Sequence, residues 1–139
     1  MRLSLTRTVG FRASHRFHKP EWTAEENRAR FGAVGEAPGH AHDYRFSVTV
    51  SGPLDPGTDT IVDLVALDAL LVAEVVKPLD GQHINLVLPE FAYGKQLPSC
   101  EALARYFFER IAGRLPAGIR LVKVRVAEDA TLHAECGPD

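Results

Sequence analysis

Alternation of apolar and polar residues over positions 40–50 is the feature that most limits how this chain can fold. The even positions carry His40, His42, Tyr44, Phe46, Val48 and Val50, whereas aspartate, arginine, serine and threonine take most odd positions. Because successive side chains of a strand point to opposite faces, this period of two predicts a half-buried β-strand. Both histidines then lie on the apolar face of that strand.

A second alternating segment covers positions 3–17. Its odd positions are mostly apolar, with Arg7 as the one exception, and His15 falls among them. The segment predicts another half-buried strand with His15 on its apolar face.

The remaining periodic segments predict two helices followed by two strands. Positions 64–77 carry an apolar stripe at helical spacing that should end at Pro78, and a second helix should run from an N-cap at Ser99 to Gly113. Positions 119–126 and 130–136 alternate again. The order ββααββ predicts an α+β fold, in which a four-stranded antiparallel sheet carries both helices on one face.

Composition is that of an ordinary folded domain, and we expect residues 1–139 to form a single one. The chain is 45% hydrophobic and 24% charged, and its net charge of −2 gives no electrostatic reason to bind nucleic acid. The first residues alternate instead of forming an apolar run, which argues against a signal peptide or membrane span. Two cysteines make no disulfide framework and fit a reducing cytoplasm.

Two features suggest that the chain works as an oligomer with functional loops. A four-stranded sheet has two unpaired edges, and pairing with other subunits would protect them. The long segments 18–39 and 79–98 lack strand alternation, and only the stretch TAEENRARF in the first hints at a helix. Connections of this length inside a compact domain usually carry function.

His15, His40 and His42 together suggest a metal site. The i, i+2 spacing of the last two places both rings on one side of a strand, and a neighbouring strand can bring the third. Three neutral imidazoles with an open fourth position are a usual catalytic zinc arrangement. The alternative is three buried histidines, each of which would need its own polar partner.

The same residues resemble a known family. FRASHRF, followed by FG and PGHAHDY on an alternating strand, is similar to the 6-pyruvoyl-tetrahydropterin synthase family, whose bacterial members include the 6-carboxy-tetrahydropterin synthase of queuosine biosynthesis. Family members show F-x-A-x-H, H-G-H, V-x-D, L-D-H with an Asn, P-T-x-E-N and a late Glu. The matching positions here are Ile61-Val62-Asp63, Leu79-Asp80-Gly81 with Asn85, Pro98 to Ala102, and Glu128.

This resemblance has implications for fold, assembly and chemistry. It implies the tunnelling fold, in which ββααββ subunits form barrels, usually a hexamer of two trimers with active sites between subunits. It also implies Zn²⁺ bound by the three histidines and a dihydropterin substrate, 7,8-dihydroneopterin triphosphate. Glu128 would anchor the pterin's guanidine-like edge, which a carboxylate can do through two parallel hydrogen bonds, and Glu101 matches the other substrate-binding position.

Departures from the family pattern fall on the catalytic residues. In the family a cysteine is the general base and an Asp-His pair moves protons. Here Val34 or Glu36 stands where the cysteine is expected, and Gly81 follows Asp80 where the histidine is expected. His83, three residues after Asp80, can complete a substitute relay. Cys100 matches no catalytic position and is expected to be a small packed residue.

Three interpretations therefore remain open. In the first, Glu36 replaces the cysteine as base, since a partly desolvated carboxylate can have its pKa raised into the working range. The chain is then a dihydropterin lyase. In the second, it binds zinc and pterin without performing the synthase reaction. In the third, the similarity ends at the fold, which alone does not settle function.

Overall fold

A five-stranded sheet in the order β3-β1-β2-β4-β5 is the framework of the molecule. The computed structural model describes residues 1–139. Neighbouring strands are antiparallel, except that β3 runs parallel to β1. The strands are β1 Ser4–His15, β2 His40–Ser51, β3 Gln82–His83, β4 Arg120–Asp129 and β5 Leu132–Cys136. The predicted α+β class is confirmed, but the sheet has five strands and not four.

The additional strand, β3, is short and lies in a segment for which the sequence predicted no strand. It places Gln82 beside Ala13 and His83 beside Ser14. Two hydrogen bonds fix the residues that lead into β3. Gly81 N donates to Arg12 O at 2.7 Å, and Arg12 N donates to Asp80 Oδ1 at 2.9 Å. A strand of two residues has no alternation to detect, because a period of two needs several residues to appear.

Helices occupy the connections. They are α1 Ala24–Phe31, α2 Leu64–Leu71, α3 Lys77–Leu79, α4 Ile84–Val87 and α5 Cys100–Ala112. A single π-helical turn, Val72–Val76, joins α2 to α3, so one helical path extends past Pro78 to Leu79. The prediction that Pro78 ends this helix was therefore wrong. A π turn widens the helix, and helices accommodate proline at such local irregularities.

The core lies between one face of the sheet and the helices α2 and α5. Phe46 on β2 packs edge-on against Phe107 of α5, with ring centroids 5.3 Å apart. Arg7, the exception in the β1 pattern, lies over α2, where its guanidinium forms two hydrogen bonds to the Asp68 carboxylate at 2.8 and 2.9 Å. An arginine is tolerated on this face because its charge is paired at the edge of the core.

Strand β4 departs from regular pairing at both ends. A register shift between Thr49 and Val50 of β2 places Leu121, and not Val122, opposite Val50. Leu121 is buried and Val122 only half-buried, so the buried face of β4 begins at Leu121. A second shift, against β5 between Ala127 and Asp129, falls at Glu128. Bulges of this kind re-aim side chains and are common next to functional sites.

The other sheet face is polar. Hydroxyl pairs cross it between β1 and β2, from Thr6 to Thr49 at 2.8 Å and from Thr8 to Ser47 at 2.7 Å. None of the helices has the length and apolar character needed to cross a bilayer. The oligomer prediction concerns the two edges of the sheet, which β3 and β5 form.

Candidate metal centre

Three imidazoles converge where β1 ends and β2 begins. His15 and His40 are direct cross-strand partners, and His42 lies opposite Ala13, so all three rings share one face of the sheet. Their ligand nitrogens all lie within 4.8 Å of one another. The Nε2 atoms of His15 and His42 are 3.2 Å apart. Two nitrogens bound tetrahedrally to one zinc ion would be about 3.3 Å apart, so this donor set fits zinc in both chemistry and spacing.

His15 is fully buried and firmly held. Its Nδ1 lies 3.1 Å from Pro98 O and 3.1 Å from the hydroxyl of Tyr44. A carbonyl oxygen can only accept a hydrogen bond, so the contact with Pro98 puts the proton on Nδ1 and leaves the Nε2 lone pair facing the other histidines. Burial, with a further contribution from His42, lowers the pKa of His15 to about 4. The ring is therefore neutral at neutral pH, as a metal ligand must be.

Glu128 lies directly beside this group. Its Oε2 is 2.9 Å from His42 Nε2, and its Oε1 accepts a hydrogen bond from Cys100 Sγ at 3.4 Å. Only 13% of the Glu128 side chain is exposed. With His42 and Asp129 it forms a second group whose ligand atoms lie within 4.8 Å of one another. A carboxylate thus adjoins the three imidazoles from a different strand.

Backbone geometry brings the two strand ends together. Gly39 has φ 109°, and a Cβ there would overlap the carbonyl oxygen of His15. Only glycine allows both the positive φ and this close approach. Asn85 supports the other side of the same junction: its Oδ1 accepts from Arg16 N at 2.9 Å, while its Nδ2 donates to Arg16 O and Phe91 O. The chain is thereby held in place immediately after His15.

Glu36 lies on the loop that joins the two strands, outside the group of converging ligand atoms. Its side chain is exposed at the end of the 3₁₀ turn Gly32–Gly35. Two hydrogen bonds tie this turn to the end of β1, from Phe17 N to Val34 O and from the Arg16 guanidinium to Gly35 O, both at 3.0 Å. Glu36 lines a cavity of about 250 Å³ that Arg16, His18 and Arg28 also line.

Asp80 and His83 have different partners. Asp80 accepts from the backbone of Arg12, whereas His83 lies 2.8 Å from Ser14 Oγ through Nδ1 and 2.8 Å from Tyr93 OH through Nε2. The structure therefore groups His83 with two hydroxyls. Burial lowers its pKa below the usual value. Glu101 is exposed in the first turn of α5.

Several contacts at this site could not be anticipated from sequence. The Cys100 thiol touches Glu128, the Pro98 carbonyl holds His15, and Tyr44, buried beneath the histidines, has its pKa raised above the usual range by burial. In the sequence, the only indication that Tyr44 lies near the site is its position on the same face of β2 as His40. The contacts of Pro98 and Cys100 depend on the path of a long loop.

Comparison with known proteins identifies sequences similar to nearly the whole chain. The family model of 6-pyruvoyl tetrahydropterin synthase matches residues 4–139. The human 6-pyruvoyl tetrahydrobiopterin synthase is 33% identical over 124 residues, which are 89% of this chain and 83% of the human protein. The Drosophila melanogaster synthase is 32% identical over 125 residues, 89% of this chain and 73% of its own length.

Solved structures share the fold. The Caenorhabditis elegans 6-pyruvoyl tetrahydropterin synthase superposes with a TM-score of 0.87 at 23% identity, covering 100% of this chain and 97% of that one. A Plasmodium vivax 6-pyruvoyltetrahydropterin synthase variant gives 0.66 at 13% identity, covering 100% and 99%. The match over nearly the whole sequence, together with these folds, shows that this chain belongs to the 6-pyruvoyl tetrahydropterin synthase family.

Proposed function

We propose that this protein is a zinc-dependent lyase acting on a dihydropterin, either 7,8-dihydroneopterin triphosphate or a close relative. The observation that carries the proposal is the contact of Glu128 with His42. It puts a carboxylate able to anchor a pterin beside a three-imidazole group able to hold zinc. Bound zinc would supply Lewis-acid polarisation of a substrate oxygen.

Anchoring is the task of Glu128 in this proposal. A pterin presents two adjacent N–H groups on its guanidine-like edge, and an ionised carboxylate accepts such a pair with both oxygens. Burial of Glu128 strengthens these hydrogen bonds because water competes less for them. Anchoring the ring here directs the substrate side chain toward His15, His40 and His42. Glu101, exposed in the first turn of α5, is proposed as a second substrate contact.

Glu36 is the proposed general base. Its loop is tied by hydrogen bonds to the residues that directly follow His15, which supports a position near the substrate side chain. A catalytic residue of the Plasmodium vivax synthase, changed to cysteine or alanine in two solved variants, is a glutamate. A catalytic glutamate in a protein of the same fold supports a catalytic role for Glu36 here. The guanidinium groups of Arg16 and Arg28 around the same cavity suit an anionic substrate.

His83 is the proposed proton carrier. In this role it exchanges a proton with the substrate side chain, with Ser14 and Tyr93 setting its orientation. Asp80 then acts indirectly, because its carboxylate holds the Arg12 backbone beside β3.

We further propose that the subunits assemble into a hexamer of two trimers. The open polar face and exposed edges of the sheet support this, and light scattering of the purified protein tests it.

Product analysis tests the proposal. The zinc-loaded protein is incubated with 7,8-dihydroneopterin triphosphate, and the pterin products are identified by mass spectrometry. We expect a side-chain-cleaved or eliminated pterin, such as the 6-hydroxymethyl product. Glu36→Gln should lower turnover by at least about a hundredfold, the usual contribution of a general base, while pterin binding persists.

A second candidate function is a zinc- and pterin-binding protein without the synthase reaction. The exposure of Glu36, outside the converging ligand atoms, favours this alternative. Wild-type protein that binds the dihydropterin tightly but leaves it unchanged would establish it. Absence of any pterin binding would overturn both candidates.

A further inference from the structure

Glu128 is constrained at both carboxylate oxygens. One oxygen faces His42 Nε2 at 2.9 Å, and the other accepts the Cys100 thiol hydrogen at 3.4 Å. The partners belong to different elements, β2 and α5. In the zinc-loaded protein His42 Nε2 binds the metal and has no proton to donate, so the Cys100 thiol is the donor that then sets the plane of the carboxylate. A bidentate hydrogen-bonded pair depends on that plane, because both oxygens must meet two parallel N–H groups.

Cys100 is well placed to act as a fixed donor. It is the first residue of α5, it follows the N-cap Ser99, and only 3% of it is exposed. The same turn also supports the metal centre, because the carbonyl of Pro98 holds His15 Nδ1. Residues 98–100 therefore contact one candidate metal ligand and the candidate pterin anchor within three positions.

We propose that Cys100 is a positioning residue whose thiol orients Glu128 for the pterin. This inference rests on the proposed function, in which Glu128 is the anchor. Without the thiol, Oε1 loses its protein hydrogen-bond partner, and zinc-bound His42 cannot replace it because its Nε2 carries no proton. The carboxylate can then rotate, and the geometry that matches the pterin edge is populated only part of the time. The cost appears as weaker pterin binding.

Matched substitutions at the two cysteines test this role. Cys100→Ala removes the donor, Cys100→Val removes it while filling the space, and Cys100→Ser keeps an O–H donor of similar size. Cys136→Ala is the control, since Cys136 lies on β5 and is half-buried. Binding of 7,8-dihydroneopterin triphosphate to each zinc-loaded variant is measured by calorimetry, with zinc content and thermal unfolding recorded on the same preparations.

We expect Kd for the pterin to rise about fivefold to tenfold in Cys100→Ala and Cys100→Val, the effect of losing one hydrogen bond. Cys100→Ser and Cys136→Ala should stay within about twofold of wild type. If the protein converts the pterin, the loss of affinity should raise KM with little change in kcat. The reason is that the pterin ring is held equally before and during the reaction.

Two results would overturn the inference. One is wild-type affinity in Cys100→Ala or Cys100→Val. The other is Cys100→Ser as weak as either, which would show that packing and not hydrogen bonding matters. Glu128→Ala separates the inference from its foundation: if this variant binds pterin normally, the proposed anchor fails as well. If only the Cys100 variants bind normally, the anchor stands and the positioning role alone falls.

Discussion

Glu128 Oε2 lies 2.9 Å from His42 Nε2, so a carboxylate from β4 directly contacts one of three converging imidazoles. This contact links the two halves of the proposed chemistry, substrate anchoring and metal binding. It also places negative charge next to the ligand set, which favours a bound cation. In the proposed function, the spacing between Glu128 and the three imidazoles decides which substrate bond lies next to the metal.

Removal of one imidazole should abolish stoichiometric zinc binding. His42→Ala leaves two of the three nitrogens, too few for a three-ligand site. We expect about one zinc per subunit in wild type and less than about a tenth of that in the variant, measured by plasma mass spectrometry after dialysis. His133→Ala, at an exposed position on β5, should retain the wild-type content. Equal loss in both variants would contradict the assignment of ligands.

Asn85→Ala should destabilise the fold. The side chain is 4% exposed and makes three hydrogen bonds to backbone groups of Arg16 and Phe91. Its loss leaves buried polar groups unpaired, which should lower the free energy of unfolding by about 2–4 kcal/mol. Urea denaturation followed by circular dichroism measures this change. Gln96→Ala, at an exposed loop position, is the control and should change stability little. A change below about 1 kcal/mol for Asn85→Ala would show that water replaces these bonds.

Gly39→Ala should impair both stability and zinc affinity. Gly118 also has positive φ, 85°, but a Cβ there meets nothing, so Gly118→Ala isolates the conformational cost. At Gly39 the overlap with His15 adds to that cost and displaces a candidate ligand. We expect Gly39→Ala to lose at least about 2 kcal/mol and Gly118→Ala about 1 kcal/mol. Similar zinc titration curves for the two variants would contradict the proposed role of this close approach.

Alkylation should distinguish Cys100 from a catalytic thiol. Burial and the neighbouring Glu128 carboxylate raise the pKa of Cys100 to about 12. The reactive thiolate is therefore scarce at neutral pH, and the iodoacetamide rate at Cys100 should rise about tenfold per pH unit without levelling below pH 10. Peptide mapping of labelled protein gives this rate, with Cys136 as the internal comparison. A plateau near neutral pH would identify an activated thiol and contradict this prediction.

The alternation of residues in β1 and β2 predicted the three histidines of the site, because regular strand pairing brings them together. Once β1 and β2 were recognised, alternation placed His15, His40 and His42 on one face, and antiparallel pairing explains why the first two are opposite each other. These inferences succeed because a half-buried strand must keep one face apolar, and that constraint is visible in the residues themselves.

Contacts made by irregular segments were not predictable in the same way. The two-residue strand β3, the register shift at Val122 and the helical path past Pro78 leave little periodic signal. Cys100 was expected to be only a packed residue, because its contact with Glu128 depends on how a long loop delivers the start of α5. Long-range packing fixes such contacts, and local patterns do not encode it.

Metal-dependent turnover tests the central claim most directly. The protein is stripped with a chelator, reloaded with zinc, and assayed at each stage for consumption of 7,8-dihydroneopterin triphosphate. The account predicts turnover by the zinc-loaded protein, its loss on chelation and its recovery on adding zinc. Equal turnover before and after complete removal of zinc, or neither binding nor turnover by the fully loaded protein, would contradict it.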